Sequence, residues 1–194
     1  MGIEAILNEV RGCTLCAQVL PLGPRPVLSA DASAQIAIIG QAPGTRVHET
    51  GIPWNDPSGE TLRIWMDVSR EDFYDASRFA ITPMGFCYPG KGPSGDLPPR
   101  PECAAAWHKK IFDALPNIEI KLLIGHYAQR YYLGSEMKTN LTETVRAFRD
   151  FLPEFLPLPH PSPRNRIWLK RNPRFEADVI PVLRERIHHK RNEH

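Results

Sequence analysis

The sequence has no run of about eighteen apolar residues, the length that a membrane-spanning helix requires, so we expect no membrane partner. It also lacks the basic stretch and apolar core of a secretory signal, because its first ten residues carry Glu4 and Glu9 at helical spacing. A cytoplasmic location is therefore expected. Internal repeats are absent as well, and 194 residues suffice for one compact, monomeric domain over residues 1–194.

Net charge is small, +2 from 24 basic and 22 acidic residues, but it is unevenly distributed. Segment 164–194 contains nine Lys or Arg residues and four acids, a net +5, so the rest of the chain carries −3. A basic end on a near-neutral body is typical of a protein that faces a polyanion. A solvated basic helix explains the same charge, so charge alone leaves both interpretations open.

Short apolar runs alternate with segments of helical spacing. The apolar runs predict buried strands at 35–40, 79–82 and 121–125, and a proline-containing edge strand at 151–158. Helical spacing and capping residues predict helices at 3–10, 58–68 (capped by Ser58), 101–115, 126–133 and 173–188. The 20 prolines cluster between these elements and indicate ordered, irregular loops.

This alternation predicts an α/β fold, a three-layer α/β/α sandwich with a four-stranded parallel sheet. Ligands of such sheets bind beyond the carboxyl ends of the strands, so the loops after the four predicted strands are expected to meet at one site. Three segments of unusual composition fall in these loops: Gly40-Gln41-Ala42-Pro43-Gly44, the Cys87 loop, and His160-Pro161-Ser162-Pro163-Arg164-Asn165.

The four cysteines, Cys13, Cys16, Cys87 and Cys103, form a C-x2-C pair and a distant C-x15-C pair. Two thiolates from one turn can reach the same metal, and a second pair completes its ligand set. Disulfides are disfavoured in the cytoplasm. The spacing fits structural zinc and a [4Fe–4S] cluster equally, and four unrelated buried thiols are the remaining alternative.

Two of the loop segments carry weak signals individually. Glycines in Gly40–Gly44 let the backbone approach a ligand, although a tight turn between a strand and a helix needs the same residues. His160 is presented by a rigid proline-rich loop, where a structural histidine is the commoner case. Trp54, in the stretch Thr50-Gly51-Ile52-Pro53-Trp54, is equally consistent with a packed core aromatic.

In combination, these segments and the Ser58-Gly59 pair that opens a helix resemble the uracil-DNA glycosylase superfamily. The cysteine pattern resembles the two iron–sulfur branches of that superfamily, families four and five. The resemblance covers the chain from Arg11 to about Asn165. It implies a DNA glycosylase that flips uracil or another deaminated base out of DNA, and it favours a [4Fe–4S] cluster over structural zinc.

The resemblance also implies roles for individual residues. Gly40, Gln41, Ala42, Pro43 and Gly44 would bind the base through backbone amides, and Trp54 would stack on it. His160 would donate a hydrogen bond to the departing base. Asp56 would act as the water-activating acid, with helix capping as its alternative role, and His48 and Glu49 are second candidates for the acid's role. Ser162, Arg164, Asn165 and Arg166 would contact the DNA.

Two residues depart from the uracil-specific branch. Gln41 stands where that branch has glutamate, and Pro83 stands where it has the asparagine that reads the uracil edge. Family five, which accepts a broader set of deaminated bases, resembles the chain better around Asp56. The expected function is removal of uracil or other deaminated bases from DNA. The alternative is a superfamily member that binds nucleic acid with weak catalysis or none.

Overall fold

The computed structural model describes residues 2–188 and contains six strands within that range. In chain order they are β1 (Ile36–Ile39), β2 (Phe79–Ile81), β3 (Lys91–Gly92), β4 (Gly95–Asp96), β5 (Ile120–Ile124) and β6 (Phe155–Leu158). Four of them form one sheet in the order β2-β1-β5-β6, and every pair in it is parallel. Strands β3 and β4 form a separate antiparallel hairpin.

Helices follow most of the strands. They are α1 (Ile3–Arg11), α2 (Thr45–Thr50), α3 (Pro57–Met66), α4 (Arg70–Phe73), α5 (Pro101–Asp113), α6 (His126–Leu133), α7 (Leu141–Arg146), α8 (Arg166–Arg171) and α9 (Ile180–His188). Short 3-10 turns occur at Gly134–Glu136, Phe148–Phe151 and Pro163–Asn165, and a π turn, Phe175–Val179, leads into α9. Between residues 2 and 188, no helix has the length and apolar character needed to cross a bilayer.

The sheet is covered on both faces, as its apolar strands require. Successive side chains of a strand point to opposite faces, and in β1 Ile36 and Ile38 join one core while Ala37 and Ile39 join another. Helices α3 and α9 pack on the first face. Helices α1, α5 and α6 pack on the other, which confirms the three-layer α/β/α sandwich.

The predicted strand at 151–158 begins later than expected. Residues 148–151 form a 3-10 turn, and the strand starts only at Phe155. Pro153 lies in the turn between them. Within residues 2–188, strand β6 pairs with β5 alone, so it is an edge strand as predicted. Pro157 is tolerated there because one side of the strand makes no ladder bonds to the described residues.

The expected cap of α3 was wrong by two residues. Asp56, rather than Ser58, is the N-cap, and its carboxylate accepts a hydrogen bond from the Gly59 amide at 2.8 Å. Pro57 then occupies the first helical position, where its missing amide hydrogen costs nothing. Residue Ser58 lies inside the helix.

The C-terminal helix is irregular at its start. The π turn precedes α9, and Pro181 lies one residue inside α9, where it cannot donate the usual backbone hydrogen bond. Phe175 and Val179 of the π turn and Leu183 and Ile187 of α9 are buried and form the inner face of this segment. Part of the predicted basic end, Lys190 and Arg191, lies outside the described residues.

Candidate functional site

A central pocket lies at the carboxyl edge of the sheet, where the loops after β1, β2 and β6 meet. Among the residues that line it are Gly40, Gln41, Ala42, Pro43, Gly44, Pro53, Trp54, Asp56, Pro83 and His160. The predicted convergence of strand-end loops is thus confirmed for three of the four strands. The loop after β5 lies close by, because a Cβ on Gly125 would be 3.8 Å from the His160 Cβ.

The central pocket opens into a wider outer cleft of about 540 Å³. Gln41, Ala42, Gly44, Asp56 and His160 line both. The cleft's other walls are the β3–β4 hairpin, which sequence patterns did not predict, and the loop that carries Ser162, Arg164 and Asn165. A narrow pocket at the bottom of a wide cleft suits a ligand of which one small group enters and a larger part stays outside.

The Gly40–Gly44 loop is fixed by backbone hydrogen bonds. The Gly40 and Gln41 carbonyls accept hydrogen bonds from the Met84 and Gly85 amides, both at 2.9 Å. Glycine is required at position 40, because an added Cβ would lie 2.6 Å from Cζ2 of the Trp54 ring. The indole therefore packs directly on the backbone of this loop.

Trp54 is held in place from several sides. Its φ of 56° is left-handed, which few residues other than glycine adopt without strain. Tyr74 donates a hydrogen bond to the Pro53 carbonyl at 2.8 Å, and Arg70 donates one to Asn55 Oδ1 at 2.9 Å. The backbone carbonyl of Trp54 would lie 1.8 Å from a Cβ on Gly59, so this glycine is also required.

The Trp54 ring serves two purposes. It packs against the main core, as the core alternative expected, and it lines the central pocket with its centroid 5.8 Å from that of the His160 ring. Sequence reasoning missed the side chains that hold the Trp54 loop. Arg70 and Tyr74 come from a helix and a turn that carry no motif, so no sequence signal marked them.

Asp56 combines the two roles that sequence reasoning treated as alternatives. One carboxylate oxygen caps α3, and the residue also lines both the central pocket and the outer cleft. Within residues 2–188 the other oxygen has no hydrogen-bond partner. The cap bond therefore fixes the orientation of a carboxylate that still faces the pocket.

His160 is half-buried and lines the central pocket and the outer cleft together with Asp56. Burial lowers the pKa of His160, and the negative charge of Asp56 opposes that shift only in part. The imidazole is consequently neutral near pH 7 and has one N–H to donate. Its backbone carbonyl accepts a hydrogen bond from Asn165 Nδ2 at 2.7 Å, which anchors the loop that presents the ring.

Of the residues predicted to contact DNA, three line the outer cleft and are engaged in local contacts. The Ser162 hydroxyl accepts a hydrogen bond from the Arg164 amide at 3.2 Å. Arg164 Nη1 donates to the Ser94 carbonyl at 3.2 Å, which joins this loop to the β3–β4 hairpin. Arg166 is exposed at the start of α8.

The predicted second candidates, His48 and Glu49, lie on α2 and do not line the central pocket. The His48 ring lies beside Tyr88, with 6.2 Å between centroids, and its buried Nδ1 has no hydrogen-bond partner among the described residues. The Glu49 carbonyl accepts a hydrogen bond from Arg25. The structure brings Asp56, Trp54 and His160 together and leaves these two residues apart.

Comparison with known proteins shows which family the chain belongs to. The family model described as "Uracil DNA glycosylase superfamily" matches residues 27–184. The chain belongs to this superfamily. The solution NMR structure of a candidate uracil DNA glycosylase from Methanosarcina acetivorans is similar to it at 16% sequence identity and a TM-score of 0.49, covering 82% of this chain and 96% of that one.

Both departures from the uracil-specific branch of the superfamily lie on the central pocket. Gln41 and Pro83 contribute to its wall. The Pro83 carbonyl accepts a hydrogen bond from Nε2 of the buried His108 at 2.9 Å, and His108 Nδ1 then accepts one from the Tyr132 hydroxyl at 2.6 Å. Pro83 thus forms an apolar part of the pocket wall, and the hydrogen bond from His108 to its carbonyl holds its backbone in place.

The four cysteines line a second cavity, the cysteine pocket, together with Leu20, Pro26, Phe86 and Arg100 among others. The loop prediction was wrong in one respect. Cys87 belongs to this cavity and not to the central pocket, because the chain turns away after Pro83 and packs Phe86 against His108 of α5. All four thiols are free of disulfides.

Burial is the main influence on the ionisation of two thiols in the cysteine pocket. It raises the pKa of Cys87 and raises that of Cys103 to about 12, although Cys103 Sγ accepts a hydrogen bond from the Phe86 amide at 3.3 Å. In the described range 2–188, no three His, Cys, Asp or Glu side chains are grouped closely enough to hold one metal ion. The donor set is nevertheless four sulfur ligands around one cavity, which is the type that iron–sulfur clusters use.

Proposed function

We propose that this chain is a DNA glycosylase that removes uracil or another deaminated base by hydrolysing its N-glycosidic bond. The observation that carries the proposal is the single pocket in which Trp54, Asp56 and His160 meet below a wide cleft. The superfamily membership of residues 27–184 supports it. A base in a duplex cannot reach such a pocket unless it leaves the stack, which costs a few kcal/mol.

Two side chains stabilise the opposite charges that form during bond cleavage. Bond cleavage builds negative charge on the base and positive charge on the sugar. The neutral His160 ring donates its N–H to an oxygen of the departing base, and a fixed donor of this type contributes a rate factor of about 10²–10³. The Asp56 carboxylate stabilises the sugar and positions water.

Trp54 holds the base while the bond breaks. Stacking on an aromatic ring contributes about 1–3 kcal/mol per base, and it accepts any base because each has a π face. In the described part of the chain, no lysine lines the central pocket. A covalent imine with the sugar therefore has no amine in the pocket, which supports simple hydrolysis.

A base-release assay tests the proposal. The protein is incubated with oligonucleotides that carry one uracil or one hypoxanthine, in single-stranded and duplex form, and abasic sites are detected by alkaline cleavage. We expect release by wild type and a loss on the order of 10² in rate for His160→Ala. His188→Ala, a histidine that contacts Met66 outside the pocket, is the matched control and should keep the wild-type rate.

One observation favours a second candidate, a DNA-binding protein with weak catalysis or none. Gln41 and Pro83 line the pocket where the uracil-specific branch has a glutamate and the asparagine that reads the uracil edge. DNA binding without base release in the same assay would support this candidate and contradict the glycosylase proposal. Release from RNA or free nucleosides, without any need for DNA, would instead indicate a different glycosidic hydrolase.

We also propose that Cys13, Cys16, Cys87 and Cys103 hold a [4Fe–4S] cluster. They line one pocket and supply four sulfur ligands, and the resemblance of their spacing to the iron–sulfur branches favours a cluster over zinc. When bound, such a cluster would crosslink the N-terminal segment, the loop after β2 and α5. Anaerobically purified protein should contain iron and acid-labile sulfide in equal amounts and absorb visible light. Zinc without iron would contradict the proposal.

A further inference from the structure

A second concave surface, which we name the arginine groove, lies apart from the central pocket. It has a volume of about 440 Å³ and is formed by α7, the 3-10 turn after it, α8 and the π turn. None of the described residues that line it also lines the central pocket or the outer cleft. The chemistry of the glycosylase site does not account for it.

The rim of the groove is basic. Arg146, Arg171 and Arg174 line it, and Asp178 is the one acid among the described lining residues. Arg146 is engaged by Glu143 at 2.9 Å and by Asn172 at 3.1 Å. Arg171 and Arg174 are exposed and, within residues 2–188, have no hydrogen-bond or ion-pair partner. Two guanidinium groups are therefore available to an anion.

The floor of the groove is aromatic and rigid. The Trp168 ring lies 5.8 Å from the Phe175 ring, and its Nε1–H donates to the Thr142 hydroxyl at 2.8 Å. The backbone carbonyl of Trp168 accepts a hydrogen bond from Asn172 Nδ2 at 2.8 Å. These hydrogen bonds hold the floor at both ends, so Arg171 and Arg174 are attached to a rigid part of the structure.

The groove is continuous with the outer cleft along the chain. Helix α8 starts directly after Asn165, which lines the cleft, and its six residues, of which Arg171 is the last, span about 9 Å. Between Arg164 and Arg174 the sequence contains three basic residues, Arg166, Lys170 and Arg171, and no acidic residue. A row of cations thus leads from the cleft to the groove.

We propose that the arginine groove binds the phosphate backbone of the DNA strand that flanks the flipped nucleotide, with Arg171 and Arg174 as its phosphate ligands. The inference rests on the proposed function in taking DNA as the ligand. Charge complementarity and continuity with the outer cleft support DNA over an acidic peptide, which would have no reason to extend from the glycosylase site.

The test is the salt dependence of DNA binding, which does not require base release. Fluorescence anisotropy with an undamaged 30-nucleotide single strand gives the slope of log K against log salt, and each lost phosphate contact lowers it by about 0.7. For Arg171→Gln/Arg174→Gln we expect a slope smaller by about 1.4.

The matched control removes the same charge elsewhere. Arg11→Gln/Arg186→Gln changes residues on α1 and α9, and Arg186 lies near the amino ends of β1 and β5, opposite the site. Its slope should equal that of wild type. The charge-conserving Arg171→Lys/Arg174→Lys should recover most of the wild-type slope.

The outcomes separate the two proposals. If wild type binds no DNA at low salt, the proposed function fails and the groove proposal fails with it. If wild type binds and the groove variant keeps the wild-type slope, or matches the control, only the groove proposal is overturned. An acidic peptide that binds the groove while DNA binding is unaffected would likewise overturn it.

Discussion

The central pocket and the cysteine pocket share two short segments, residues 26–27 and 83–87, but they are held together by different interactions. Hydrogen bonds support the central pocket: Tyr74 donates to Pro53, Gly59 to Asp56 and Asn165 to His160. In the cysteine pocket burial dominates, and it raises the pKa of the thiols. The first pocket is thus organised by the protein chain alone. The second has ligands suited to a metal group that would complete it.

The two pockets should therefore respond differently to substitution, one through the reaction rate and the other through the stability of the fold. In the central pocket, a substitution that keeps the supporting hydrogen bonds should change the reaction and leave the fold intact. In the cysteine pocket, loss of one ligand should change the fold, because metal-binding free energy becomes folding free energy when the site exists only in the folded state. The following predictions test the distinction, from the largest expected effect to the smallest.

Cys103→Ser should lower the free energy of unfolding by several kcal/mol and abolish iron binding, because it removes one ligand of the proposed cluster. Iron analysis and thermal denaturation measure the two effects. Thr14→Ala, an exposed residue between Cys13 and Cys16, is the control and should retain both iron and stability. If Cys103→Ser keeps wild-type iron content, the ligand assignment is wrong.

Asp56→Asn should reduce base release by a factor on the order of 10² or more while stability stays near that of wild type. Asparagine caps helices as well as aspartate does, so the bond to Gly59 is preserved and only the charge is lost. Single-turnover rates and chemical denaturation report the two effects. Asp67→Asn, at the other end of α3, is the control. A wild-type rate for Asp56→Asn would exclude its role as the acid.

His108 should make the protein less stable in acid. Burial lowers the pKa of His108 from its ordinary value of about 6.5 to about 4, so between these pH values the unfolded chain binds a proton that the native state excludes. Stability from this group is present above about pH 6.5 and falls by roughly 3 kcal/mol as pH decreases to about 4.

Urea denaturation at pH 7 and pH 5 measures this effect. His108→Gln should reduce the difference in unfolding free energy between the two pH values. The exposed His126→Gln should leave that difference as in wild type. An identical pH dependence for wild type and His108→Gln would show that other groups cause the acid sensitivity.

Tyr74→Phe should have the smallest effect, a loss of about 1 kcal/mol of stability and a few-fold decrease in base release. It removes the hydrogen bond to the Pro53 carbonyl that helps to hold the Trp54 loop. Thermal denaturation and the base-release assay measure it. Tyr127→Phe removes a hydroxyl that has no hydrogen-bond partner in the described part of the chain, and it should match wild type.

Local patterns predicted most of the sheet and the larger helices. Apolar runs located β1, β2 and β5 to within one or two residues at each end, because strands buried on both faces need continuous apolar side chains. Shorter elements were missed, among them α7 and the β3–β4 hairpin. The pair Asn140 and Glu143 was an available signal for α7, since the Asn140 side chain caps it at 2.9 Å.

The residues of the site could be predicted from local sequence motifs, but their arrangement in space could not. The resemblance carried by motifs in the loops after β1 and β6 predicted Trp54, Asp56 and His160 as a set, and the parallel sheet brings those loops to one edge. The separation of Cys87 from that edge, the double role of Asp56 and the arginine groove all depend on contacts between residues far apart in the chain. Such contacts arise from packing in three dimensions, which periodicity along one dimension does not encode.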